Sequence, residues 1–510
     1  MNGADFMNIK EAKEEIIRTV NAYRRKDETG AYEIPAAQQR PVLLMGPPGI
    51  GKTAIMEQVA QECGIGLVSY TITHHTRQSA IGLPLIAHRT FGGQDYAVTE
   101  YTMSEIVASV YEQIERTGIE EGILFLDEIN CVSETLTPTM LQFLQYKTFG
   151  THKVPDGYVI VTAGNPPQYN RSARTFDIVT LDRVKRMEIE ADFGVWKEYA
   201  YRRGVHGSVL SYLEIRQKHF YVIRTELEGR TFVTARGWED LSRMLSVYEK
   251  MGEPVTEQMV VQYVQDPEIA RDFALYYALY QKYKEVYRIE AILDGASPDD
   301  PDALREIPFD EKLSLIRLLA DGLHQTFTGF AEQLSVQEIL FDWIREIRDS
   351  ADQPKTAADA RQIPEEFGKQ KKAMLEWKAE AGMLSDEQTR GMRRALLAWD
   401  ELAGLAAEAP PERSGQDLNT QIKTWFSARE EQRMEYAEKA GTRLTNAFAF
   451  IERVYGSGQE MVMLLTELNA DWYCLQFISA YGNDAYDKYN QLLLLRDRQS
   501  ALRQEILRLA

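Results

Sequence analysis

The chain has 510 residues, with 58 Lys and Arg against 77 Asp and Glu and a formal net charge of −19; a phosphate backbone would be repelled, which argues against non-specific nucleic-acid binding. A hydrophobic fraction of 44% and a charged fraction of 26% are those of an ordinary soluble protein with room for roughly three domains of about 150 residues. The charged opening segment MNGADFMNIKEAKEEIIRTV argues against secretion and membrane insertion, while three scattered cysteines, Cys63, Cys131 and Cys474, suit a reducing, cytoplasmic compartment.

Residues 8–24 read as an amphipathic helix with Ile9, Ile16, Ile17 and Val20 on one side. PVLLMG (41–46) is a short apolar strand, AIMEQVAQECG (54–64) has helical spacing, and between them GPPGIGKT (46–53) fits the pattern G-x-x-x-x-G-K-[ST]. Strand, loop and helix are the context that this motif needs. The candidate nucleotide cradle is Gly46, Pro47, Pro48, Gly49, Ile50, Gly51, Lys52, Thr53 and Ala54. Main-chain N–H groups at the helix start surround the phosphates, Lys52 reaches the β- and γ-phosphates, and Thr53 holds Mg²⁺. ATP and Mg²⁺ are therefore the expected ligands.

Further along, GLVSYTIT (66–73), GILFLDEI (122–129), YVIVTAGN (158–165) and VKRMEIE (184–190) read as strands, and 104–118 and 136–147 as helices. Strands separated by helices predict an α/β sheet covered on both faces. The segment 82–101 reads as an inserted hairpin turning at Gly92 and Gly93. Its His88 and Arg89, with His74 and His75 before it, have no matching metal-ligand set. In ILFLDEIN, Asp127 and Glu128 follow an apolar run and emerge where strand ends bind ligands. Asp127 suits ordering the Mg²⁺ shell and Glu128 polarising the attacking water. Asn165 ends the next strand and can position water or contact the γ-phosphate. Arg183 in TLDRVKR is the candidate arginine for a neighbour's γ-phosphate, with Arg171 and Arg174 as substitutes. Arg236 opens the helix TARGWEDLSRML, an end that does not favour a cation electrostatically, so a role toward nucleotide is expected for it.

Beyond Asp192 the pattern is helical. The expected division is an α/β nucleotide-binding domain at 1–192, a helical lid at 193–260, a helical extension at 261–348, a linker at 349–366 and a helical C-terminal region at 367–510. Within the last region a charged helix over 366–409, a polar connector at 410–418 and apolar helices over 441–497 are expected.

GPPGIGKT, ILFLDEIN, the VTAGNPP strand end, LDRVKR and the TARGWEDL helix follow the order found in AAA+ ATPases, and the set resembles the MoxR-like branch with its NorQ and CbbQ relatives. The resemblance covers roughly residues 8–260. It implies a P-loop AAA+ core with sheet order 5-1-4-3-2, Asn165 as sensor 1, Arg183 as the arginine finger and Arg236 as sensor 2. It also implies a homo-hexameric ring in which the 74–101 hairpin and the loop THKVPDGY (151–158) face the axial opening. Val184 follows Arg183 where many relatives carry Phe. The implied activity is Mg²⁺-dependent ATP hydrolysis that remodels or activates a protein client. Such ATPases often work with a partner that carries a von Willebrand factor A domain; DxSxS is absent from this chain, so a partner of that kind, where needed, would be a separate protein. The alternatives are a nucleic-acid-directed motor, disfavoured by the charge, and a nucleotide-gated scaffold with slow hydrolysis.

Overall fold

A computed structural model describes residues 6–74, 82–149, 151–170, 172–226, 229–297, 300–351, 357–380, 382–408 and 415–491. The chain folds as two compact units. The first comprises Met1–Val195, Thr234–Arg236 and Glu376–Asp386; the second comprises Trp196–Val233, Gly237–Leu375 and Glu387–Ala510.

The first unit contains α1 (Ile9–Arg24), β1 (Val42–Met45), α2 (Ala54–Cys63), β2 (Gly66–Thr71), α3 (Glu105–Thr117), β3 (Gly122–Asp127), α4 (Thr137–Tyr146), β4 (Tyr158–Gly164) and β5 (Lys185–Glu188). The five strands form one parallel sheet in the order β2-β3-β4-β1-β5. Every residue of β4 is buried, and so are Gly122–Leu126 of β3, which is why both read as unbroken apolar runs rather than alternating ones. α1 starts at Asn8, whose side chain accepts from the amides of Lys10 and Glu11 while the Glu11 carboxylate returns to the Asn8 amide. Of the four positions expected on its apolar side, Ile16 and Val20 are buried and Ile9 and Ile17 are half-buried, while Ala12 and Thr19 complete the buried face.

The start of the sheet is set by one ring. A Cβ on Gly122 would lie 2.5 Å from Tyr158 Cε1, so the aromatic ring that begins β4 can lie across β3 only where a side chain is missing. The hydroxyl of Tyr158 has no hydrogen-bond partner among the described residues, and burial pushes its pKa up to about 12.

Two antiparallel hairpins leave the core. Pro84–Phe91 pairs with Gln94–Tyr101 across Gly92 and Gly93, both at positive φ. The loop expected at 151–158 includes half of a second, short hairpin, Thr148–Phe149 with His152–Lys153, and His152 Nε2 lies 2.9 Å from the Tyr101 carbonyl oxygen. Val184, 6% exposed, packs into the core between sheet and helices, so the smaller side chain fits here.

The second unit is mainly helical, with one departure from the sequence pattern. Val222–Glu226 and Gly229–Val233 form a two-stranded antiparallel ribbon inside the stretch expected to be a helical lid. Its β-branched and aromatic residues, Val222, Ile223, Thr231, Phe232 and Val233, favour extended chain. A 43-residue helix, Phe309–Ala351, packs with Gly415–Tyr455, Gln459–Ala470 and Trp472–Tyr481 around Leu319, Phe327, Leu444, Phe448 and Phe477. Arg317 is buried there beside the carboxylates of Glu214 and Glu467. Residues 349–351 end the 43-residue helix and 357–366 begin the helix Ala357–Glu380, so these parts of the expected linker are helical; 352–356 lie outside the described residues. The charged helix expected over 366–409 is instead two, ending at Glu380 and resuming at Asp386 past Gly382 at φ +68°. The apolar helix expected from 441 is continuous back to Gly415, so 415–418 of the expected connector are helical; 410–414 lie outside the described residues. Among the described residues no helix is long and apolar enough to cross a membrane.

Because the Tyr158 hydroxyl is buried without a partner, Tyr158→Phe should leave stability unchanged or raise it by about 1 kcal/mol. Gly122→Ala, which drives a methyl group into the ring, should lower it by about 1–3 kcal/mol. Urea unfolding of both variants checks this pair, and a destabilised Tyr158→Phe would show that the hydroxyl is bonded.

Candidate active site

The parallel sheet delivers its strand ends to one edge. β1 runs into the loop 46–53, β3 stops at Asp127 and β4 stops at Gly164, and β4 lies between the other two. Lys52, 7% exposed, turns back across this edge. Its Nζ donates to the carbonyl oxygens of Gly46 at 2.8 Å and Pro47 at 2.7 Å and to Asn165 Oδ1 at 2.9 Å. Three acceptors match the three protons of an ammonium. Burial lowers its pKa to about 8, with the charge of Arg236 acting in the same direction and that of Asp127 against it.

Asp127 uses both oxygens. Oδ2 accepts from Thr53 Oγ1 at 3.0 Å, and Oδ1 accepts from the Glu128 amide at 2.8 Å. Glu128 itself has φ +57° and ψ +34°, a left-handed conformation uncommon for a residue with a side chain. From that turn its Oε2 accepts from Thr73 Oγ1 at 3.0 Å. Gly49 and Gly51 of the loop also have positive φ, and a Cβ on Gly49 would come within 3.0 Å of Thr234. Thr234 thus brings the chain back to the loop just before Arg236, whose side chain is exposed.

The structure therefore gathers Lys52, Thr53, Asp127, Glu128, Asn165 and Arg236 in one unit. Arg183 is exposed and has no hydrogen bond or ion pair to this cluster among the described residues; its positive charge bears on Asp177, whose carboxyl is held below its usual range first by its bond from Thr180 and less by Arg183. Arg174 pairs with Glu134 at 3.0 Å, and Arg171 lies outside the described residues. Two contributors were not singled out from sequence. Thr73 lies two residues beyond Thr71, the register partner of Asp127, so strand pairing would have located it. Asn130 lies within ILFLDEIN and is 3% exposed.

Among the described residues no group of three or more His, Cys, Asp and Glu could hold a metal ion, and His75 lies outside them. Mg²⁺ needs no such cage, since it keeps several waters and takes one or two protein oxygens beside phosphate. The adjacent oxygens of Thr53 and Asp127 are donors of that kind.

Residues 42–182 match the family model described as ATPase family associated with various cellular activities (AAA). An AAA+ ATPase domain is present. Its presence supports nucleotide hydrolase activity in general. Over 111 residues, 21% of the chain, the sequence is 28% identical to midasin of Giardia intestinalis, of which it covers 2%. Over 66 residues, 13% of the chain, it is 39% identical to the ATP-dependent zinc metalloprotease FtsH 1 of Sphaerobacter thermophilus, of which it covers 10%. The chain thus spans a tenth or less of either relative, and the zinc and protease chemistry in the second name are that protein's own.

A lysine with a pKa near 8 is partly neutral above that pH, and a triphosphate beside it favours the charged form. ATP binding to the AAA+ domain at pH 8.5 should therefore take up a proton, and at pH 6.5 Lys52 should contribute none. Calorimetry in two buffers of different ionisation enthalpy reads this directly; equal heats at pH 8.5 would contradict the assignment.

Proposed function

We propose that this chain hydrolyses ATP with Mg²⁺ and couples turnover to remodelling or activation of a protein client, as a hexameric ring of the MoxR-like type working with a separate partner that carries a von Willebrand factor A domain. The observation that carries the hydrolase reading is the double tie of one loop to two neighbouring strand ends, Lys52 to Asn165 and Thr53 to Asp127. In this reading Lys52 leaves the Asn165 oxygen to meet the β- and γ-phosphates, and Asn165 then orients the attacking water. Thr53 and Asp127 hold Mg²⁺, which neutralises charge on the phosphate oxygens when bound. Glu128 accepts the water's proton once its carboxylate is released from Thr73. Arg236 neutralises charge from within the same subunit, and Arg183, exposed and outside its own cluster, does so in trans.

The ring and the client role rest on the motif resemblance, the exposed Arg183 and the long helical region. Leu85, Ile86, Phe91 and Tyr96 leave apolar side chains exposed on the 84–101 hairpin, as a client-contacting element would. Beyond residue 260 the helices supply client or partner surface, apart from 376–386. That stretch belongs with the AAA+ unit, where the Trp377 indole donates to the Arg116 carbonyl at 3.1 Å.

Glu128→Gln should keep ATP binding and lose turnover by roughly 10²–10⁴-fold, the range for removing a general base. Thr73→Val should instead raise basal turnover about threefold, the rate equivalent of a modest hydrogen bond no longer holding the carboxylate. Steady-state turnover with binding measured separately tests both; a Thr73→Val chain slower than wild type would reject the restraint. In mixed oligomers, Arg183→Ala and Glu128→Gln chains should regain activity at interfaces that join an intact Glu128 to an intact Arg183. Demonstrably mixed but inactive oligomers would remove Arg183 from the trans role.

A further inference from the structure

The proposed mechanism makes no use of Asn130, yet this side chain joins two parts of the site. It lies in the single turn Ile129–Cys131 directly after Glu128. Its Nδ2 donates to the main-chain oxygen of Asn165 at 2.8 Å and to that of Arg174 at 3.3 Å. Its own carbonyl oxygen accepts from the Arg174 amide at 2.9 Å, and Cys131 Sγ accepts from Asn170 Nδ2 at 3.1 Å. The segment from Asn165 to Arg174 is thus seamed to the turn behind Glu128 at both of its ends. Gly164 is part of the same fit, because a Cβ there would come within 2.5 Å of Asn130 Oδ1.

We propose that Asn130 is a positioning residue that couples the nucleotide-facing end of β4 to the arginine-bearing segment 170–174. The inference rests on the hydrolase reading above. A neutral amide suits the task, since it offers two N–H donors to two carbonyl oxygens with no buried charge to compensate. Asn165 presents its side chain to Lys52 and its main chain to Asn130. A shift of Asn165 when Lys52 moves to a triphosphate therefore reaches the Arg174 backbone through one side chain. That backbone carries the guanidinium now paired with Glu134.

Asn130→Asp keeps the shape and removes both donors at neutral pH, while a protonated carboxyl restores one. Three measurements on the full-length chain decide the matter: ATP affinity, turnover against pH, and amide hydrogen exchange of 164–176 with and without MgATP. The wild type should show an ATP-dependent change in exchange over 170–176. Asn130→Asp should bind ATP within threefold of wild type, lose that exchange response, and turn over about tenfold more slowly at pH 8. Its deficit relative to wild type should shrink toward pH 6, a recovery that a loosened core would not produce. A normal exchange response with normal turnover in Asn130→Asp overturns the proposal, as does a loss of ATP affinity equal to the loss of rate. Should Asn130→Asp not fold, Asn170→Ala removes the bond to Cys131 at the far end of the seam and should weaken the same response; an unaltered response there overturns it. A wild-type chain that binds ATP without turnover defeats the hydrolase reading, and the exchange measurement still decides the coupling. A wild-type chain that hydrolyses ATP with no response at 170–176 defeats the coupling alone.

Discussion

One ammonium group sits at the centre of the site's economy of charge. Lys52 is buried against two carbonyl oxygens of its own loop and one amide oxygen from the end of β4. None of the three carries a formal charge, so burial prevails and the pKa falls to about 8. Hydrogen bonds to a charged group contribute about 1.5–3 kcal/mol each, which holds the lysine in place while leaving it responsive to a stronger anion. The parallel pairing of β1 with β4 fixes the ends of these two strands, and Lys52 ties the loop that follows β1 back to the end of β4.

The parallel sheet supplies the remaining geometry. Strands that all point one way put their last residues on one edge, so each polar residue that follows an apolar run arrives at the same place. Asp127 and Asn165 are legible in the sequence for that reason, as is the loop 46–53. Thr73 and Asn130 were not, because each acts through a partner distant in sequence. Thr73 matters through the Glu128 carboxylate and Asn130 through the carbonyl oxygens of Asn165 and Arg174, and neither position breaks the local pattern. The left-handed turn at Glu128 is equally silent, since no glycine marks it.

Outside the sheet, local pattern resolves less. The 222–233 ribbon was missed because the segments on either side of it are helical, and only its β-branched and aromatic residues mark it as extended. The long helices carry charges that periodicity assigns to solvent, yet Arg317 is buried between Glu214 and Glu467. A buried charge is tolerable only with partners, and those partners come from sequence positions more than 100 residues away on either side. The break before Asp386 follows Gly382 in the left-handed region, a local signal inside a pattern that otherwise reads as continuous charged helix.

The first unit is not one stretch of chain: its parts end at Val195, Arg236 and Asp386. On a ribosome, the strands and the loop 46–53 are complete when residue 195 has been made, while Glu376–Asp386 follows roughly 190 residues later. At about 5–20 residues per second that interval is roughly 10–40 s. During it the nascent unit has its whole sheet and lacks the segment whose Trp377 caps the end of α3. The order of synthesis thus separates a stage at which the strand ends can assemble from a later one at which the unit is finished, and the helical unit is still being made across that gap.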